Sequence, residues 1–78
     1  MEHTFWLKFS DIQYMQFEIQ DKGIWVKGPL GLSDSINQLM TVDDARKYWK
    51  ELVEVGYRRI PTSEAPGYHY FEALVYGN

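Results

Sequence analysis

His3 and His69 are the only imidazoles in this 78-residue chain, and there is no cysteine. A zinc centre draws on three or four His and Cys side chains at short spacings, such as two His four residues apart on one helix face, and two isolated histidines do not supply it. Ser10-Asp11 and Ser33-Asp34-Ser35 set hydroxyls beside carboxylates. A serine nucleophile, however, needs a base within hydrogen-bond reach, and serine next to aspartate is ordinary turn chemistry. An enzyme built on this chain would have to use His69 or Glu72 with a strongly shifted pKa in a cleft. Gly23, Gly28 and Gly31 form neither G-x-G-x-x-G nor G-K-[ST] ahead of a helix, so they read as turn glycines rather than a phosphate cradle. The expectation is a non-enzymatic protein with no catalytic residue, metal or cofactor.

Binding chemistry is better represented. Lys22, Lys27, Arg46, Lys50, Arg58 and Arg59 with Trp25 could hold phosphate and stack a base, as single-strand binders do, with Lys27, Arg58 and Arg59 as the candidate contacts. Against this stand interleaved acids: 8 Lys and Arg face 11 Asp and Glu, a formal charge of −3, so no global field draws nucleic acid or anionic lipid. Nucleic-acid binding is therefore the alternative reading. The leading one starts from apolar residues where water is expected. Trp6 and Trp25 fall on the outward phase of their segments, and residues 28–40 carry Leu30, Leu32, Ile36, Leu39 and Met40. Large exposed apolar patches mark interaction sites, and Trp is enriched among binding hot spots. Trp6, Trp25, Leu30, Leu32 and Ile36 are thus the candidate partner-binding residues of a small adaptor or regulatory module. The competing account is a compact loop that folds over the sheet and buries its own side chains.

These residues need elements to position them. Phe5, Leu7 and Phe9 alternate with Thr4, Trp6 and Lys8, and Met15, Phe17 and Ile19 with Tyr14, Gln16, Glu18 and Gln20, the period of half-buried strands. Asp21-Lys22-Gly23 suits a tight hairpin with a positive φ at Gly23, after which Ile24 and Val26 face inward. A long connection follows over 28–40. Thr41 reads as an N-cap with Asp44 three residues on, and Met40 with Ala45 as a hydrophobic staple. Val42, Ala45, Tyr48, Trp49, Leu52 and Val53 share one arc of a helix over 42–55, opposite Asp43, Lys47, Lys50, Glu51 and Glu54. Asp43–Lys47, Lys47–Glu51 and Lys50–Glu54 have the spacing of surface ion pairs. Gly56 fits C′, and Tyr57 can fold back on Leu52. Arg58-Arg59-Ile60 exits toward "PTSEAPG", and a last strand over 68–76 could bury either face.

The order β-β-β-α-β gives an α+β class: an antiparallel sheet of about four strands with one amphipathic helix packed on one face. At this length a single domain over 1–78 is expected, stabilised by 13 aromatic residues rather than disulfides. The absence of cysteine favours a cytoplasmic setting, Glu2 stands where a signal peptide would be basic, and no apolar run is long enough to span a membrane. A protein partner is expected, and the two-sided last strand also admits a homo-oligomer.

From Phe17 to Tyr57 the chain resembles a WGR domain, a small sheet-and-helix module of poly(ADP-ribose) polymerases and bacterial proteins. The residues that carry the likeness are "FEIQ" at 17–20, a hairpin, a strand ending near "GPLG" at 28–31, "VDDARKYW" and "GY" at 56–57. Lys27-Gly28-Pro29 stands where the family has Trp-Gly-Arg, so only Gly28 carries over. The resemblance implies the fold more than the family's nucleic-acid and interdomain role. "TVDDARKYWKELVEVGY" is also similar to segments of small uncharacterised cyanobacterial proteins, which implies no activity.

Overall fold

The structure, a computed structural model, describes residues 3–29 and 35–65. Strands β1 (Thr4–Ser10), β2 (Gln13–Gln20), β3 (Gly23–Gly28) and β4 (Ile36–Met40) are followed by helix α1 (Val42–Glu54), strand β5 (Arg58–Ile60) and a 3₁₀ turn at Thr62–Glu64. The strands form one antiparallel sheet in the order β4-β3-β2-β1-β5. The α+β class with one helix on an antiparallel sheet is therefore as the hydropathy pattern indicates. Five strands, rather than about four, lie among the described residues. Two of them fall where the sequence reads as connection: β4 inside residues 28–40, and β5 in the exit from the helix. The expected strand over 68–76 lies outside the described residues, as do Leu30, Leu32, His69 and Glu72.

Local chemistry accounts for the helix ends. Thr41 has extended backbone (φ −63°, ψ 159°), and its Oγ1 accepts a hydrogen bond from the Asp44 amide at 3.1 Å. At the other end the Gly56 amide donates to the Val53 carbonyl at 3.1 Å, and the Tyr57 amide donates to that of Leu52 at 3.0 Å. This is the paired 5→2 and 6→1 closure of a Schellman motif, with Gly56 at φ +119° as its left-handed residue. The accompanying apolar contact is present too, since Tyr57 and Leu52 share one buried cluster. Gly23 takes the positive φ of +149° expected at the β2–β3 hairpin, with its missing Cβ directed at the Met40 carbonyl of β4.

The register sets the faces. Trp6 pairs with Gln16, and Phe5 and Leu7 with Phe17 and Met15, so Phe5, Leu7, Met15, Phe17, Ile24 and Val26 share the face beneath α1. Leu7, Met15 and Val26 are fully buried there, with Phe17, Ala45, Leu52 and Tyr57 around them. Helix α1 starts beside Met40, which pairs with Ile24 near the β2–β3 hairpin. It ends at Gly56 against the ring of Phe9, at the opposite end of β1. It thus runs on a diagonal from the hairpin end of β3 and β4 toward the far end of β1.

Two expectations about the helix need correction. Val53, placed on the apolar arc, is 46% exposed, because the diagonal turns the last helical turn so that Leu52 and Tyr57 take the buried positions. None of the three helix ion pairs closes: the one ion pair among the described residues is Lys8–Asp11, at 3.5 Å. Water solvates these long side chains as well as a partner would, so the spacing alone does not hold them together.

The opposite face carries a second apolar cluster of Trp6, Tyr14 and Ile60, with Ala65 packed against it. Trp6 pairs with Ile60 across β1 and β5, and the 3₁₀ turn brings Ala65 back over that face. The sheet is therefore lined with apolar groups on both sides at its β1–β5 edge.

Candidate docking groove

The residues proposed from sequence as a partner-binding set are not one surface. The phase assigned to Trp6 and Trp25 is right, since both lie on the face away from α1. Trp6 nevertheless is only 5% exposed, sealed by Ile60, Tyr14 and Ala65, and this corrects its assignment as an exposed docking residue. Trp25 is half-buried, and its indole Nε1 donates to Asn37 Oδ1 at 2.6 Å, a cross-strand bond to β4. With Glu18, Gln20 and Lys27 these two residues border a shallow hollow of about 270 Å³. Ile36 is half-buried on the other face, against the helix-side core. Leu39 faces the Trp25 side and is exposed, whereas Met40 packs on the core as its position before the helix suggests.

The basic candidates are also divided. Arg58 and Arg59 are neighbours on a strand, so their side chains leave opposite faces. Arg59 lies under the helix side, its guanidinium carbon 5.1 Å from the Phe5 ring centroid. Arg58 pairs with Lys8 on the other face. Lys27 shares that face, but β1 and β2 stand between it and β5, a separation of about 14 Å. The structure does not bring Lys27, Arg58 and Arg59 together.

A different arrangement emerges beside α1. Because the helix runs diagonally, it leaves one corner of its own sheet face uncovered, at the hairpin end of β2 and β3. The corner forms a groove of about 540 Å³. Its floor is Phe5, Phe17 and Ile24 with the small Ala45, whose methyl keeps the helix close to the sheet without filling the space. Trp49 stands along one wall, edge-on to Phe17 with ring centroids 5.0 Å apart. Ile19 and Val42 form the lip, and each is 46% exposed. The charged groups in the lining are Arg46 and Lys50, one helical turn apart on α1, and Arg59 on β5.

Residues 19, 24, 42 and 49 were legible as apolar positions on strand and helix; Ile24 and Trp49 do pack against the core, as the sequence placed them, whereas Ile19 and Val42 are each 46% exposed. Ile19 and Val42 differ from the rest by their position at the rim: Ile19 near the end of β2 and Val42 in the first turn of α1.

Burial, and secondarily the neighbouring Tyr48, push the Tyr57 hydroxyl above its ordinary value of 10.0. Tyr57 packs on Phe9 with ring centroids 5.2 Å apart, at the far end of the helix from the groove, so the shift belongs to the core. No group of three or more His, Asp or Glu that could hold a metal occurs among the described residues, and no helix among them is long and apolar enough to cross a membrane. Comparison with protein-family models, curated proteins and solved structures gives no match.

Proposed function

We propose that this chain is a non-enzymatic interaction module that docks a protein partner, and that its docking surface is the groove between α1 and the uncovered corner of the sheet. One observation carries the reading: about 540 Å³ of apolar trough stands open beside a complete core, with Ile19 and Val42 at its lip each 46% exposed. Leaving such side chains nearly half in water forgoes roughly 0.7–1.4 kcal/mol apiece relative to full burial. A fold this small gains little margin from its own core, and a partner that covers the groove recovers that energy on binding.

The test uses affinity capture with the full chain, followed by reconstitution with the purified captured protein. Ile19→Ser with Val42→Ser removes the lip without touching the core, and should abolish the reconstituted complex while leaving the melting temperature near that of the parent. Leu30→Ser with Leu32→Ser serves as the contrast. If the complex survives the groove variant and is lost with the loop variant, docking belongs to residues 28–40 and the groove assignment is wrong.

A further inference from the structure

The groove has a charge character that the rest of the chain lacks. The protein as a whole is acidic, at −3, yet the charged side chains lining the groove are all cations: Arg46, Lys50 and Arg59. They flank it from both sides, two from the helix and one from β5. Arg46 and Lys50 sit four apart on α1, a like-charge spacing that costs an isolated helix a few tenths of a kcal/mol. Neither forms an ion pair with any of the acids on the same helix, nor does Arg59, among the described residues.

The lining also offers little backbone to pair with, that of Gly23 being the clear case. It is mostly apolar side chain, and its polar groups beyond the three cations are Gln20, the Trp49 indole N–H and the backbone at Gly23. An extended strand laid there would leave its own N–H and C=O groups facing apolar surface, at a cost of roughly 1–3 kcal/mol for each unsatisfied group. A helix satisfies its backbone internally and presents an apolar stripe at i, i+3/i+4 and i+7. The groove is also a poor enclosure for a small molecule. Its volume falls in the usual range of about 300–1,000 Å³, but such pockets bury some 70–90% of their ligand, and here the lip residues remain nearly half exposed.

Resting on the docking reading above, we infer that the partner element is a short amphipathic helix with an acidic flank: an apolar stripe seated on Phe17, Ile24 and Trp49, with Asp or Glu side chains on either side reaching Arg46, Lys50 and Arg59. The carboxylates complete the charges that the groove leaves without a counter-ion among the described residues, and they set the orientation of the bound helix.

A displayed library of random peptides about 16 residues long, selected on the immobilised full chain, tests this and needs no natural partner in hand. The expected enrichment is an apolar i, i+3/i+4, i+7 pattern flanked by Asp and Glu. Synthetic peptides of that sequence should perturb the NMR signals of the Ile19, Ile24 and Val42 methyls and the Trp49 indole. They should lose about tenfold in affinity against Arg46→Glu with Lys50→Glu, checked for an unchanged melting temperature. Groove-directed binders with neutral or basic flanks would overturn the charge inference and leave the docking reading standing. Selected peptides that map elsewhere, or no binders at all, would overturn both. Dodecanoate added in parallel separates the remaining source of the same chemistry: if it occupies the groove more tightly than any selected peptide, the site is for acyl anions and the helical partner is wrong.

Discussion

Replacing Trp6 and Trp25 separately, each by Phe, measures how differently the fold uses two indoles that occupy the same strand phase. Trp6 is 5% exposed and forms one cluster with Tyr14 and Ile60. Trp6→Phe keeps an aromatic ring but leaves unfilled volume in a closed site. Full truncation of a buried Trp costs about 3–5 kcal/mol, so a cost of roughly 1.5 kcal/mol is expected for the partial loss. Trp25 is half-buried, and the bond its indole donates to Asn37 is exposed to water. Phe there loses one solvent-accessible hydrogen bond and little packing, about 0.5 kcal/mol. With a urea m-value near ~1 kcal/mol/M for so small a domain, the denaturation midpoint should fall by about 1.5 M for Trp6→Phe and by about 0.5 M for Trp25→Phe. Near ~0.1 kcal/mol of stability per residue, the larger loss is a substantial share of the whole. Equal midpoints, or a larger loss at Trp25, would show that Trp6 is not sealed beneath Ile60 and Ala65, and the two-faced core would have to be abandoned.

Other consequences follow from the same geometry. Gly56→Ala places a Cβ at φ +119° and 2.9 Å from the Phe9 ring. The backbone strain costs about 1–2 kcal/mol, because the half-exposed ring can move aside, and calorimetry should show the melting temperature lowered by about 8 °C. Thr41→Ala removes the hydroxyl that accepts from Asp44 and should cost about 1 kcal/mol by urea titration, with helix content unchanged in the folded state. Burial holds the Tyr57 proton more tightly in the folded chain than in the unfolded one, whose tyrosines ionise near 10.0. That contribution is therefore complete below the unfolded value, and it is lost as pH rises through 10.0 toward the folded value. Over about pH 9–11 the parent should lose stability more steeply than Tyr57→Phe, and parallel curves would contradict the assignment.

How much of this was legible before the structure depends on how local each signal is. Thr41, Asp44, Gly56 and Tyr57 act within one turn of their own position, and the sequence locates both helix ends to within a residue. The β2–β3 hairpin is equally local. Strand β4 escapes because "INQLM" at 36–40 does not alternate: Gln38 occupies an inward position opposite Val26, which an edge strand tolerates where a central one would not. Strand β5 is three residues long and opens with two arginines, so nothing in it announces a pairing with Trp6 and Leu7. The burial of Trp6 rests on Ile60 and Ala65, more than fifty residues away along the chain, and period-two alternation says nothing about what covers the second face of a sheet. The groove is less visible still. Its apolar residues carry the same hydropathy signal as the core and in part belong to it, Phe17 and Ala45 being buried, so hydropathy alone does not mark which edge stays open.

Hydroxyl-radical footprinting of the full chain, alone and with its reconstituted partner, addresses the docking surface most directly, because it reads the solvent access of each side chain in solution. In the free chain Ile19, Val42 and Trp49 should be oxidised while Trp6 stays nearly unreactive, and the partner should protect the first three and leave Trp25 unchanged. Oxidation of Trp6 in the free chain, or protection that falls on Trp25 while Ile19 and Val42 remain reactive, would contradict the account.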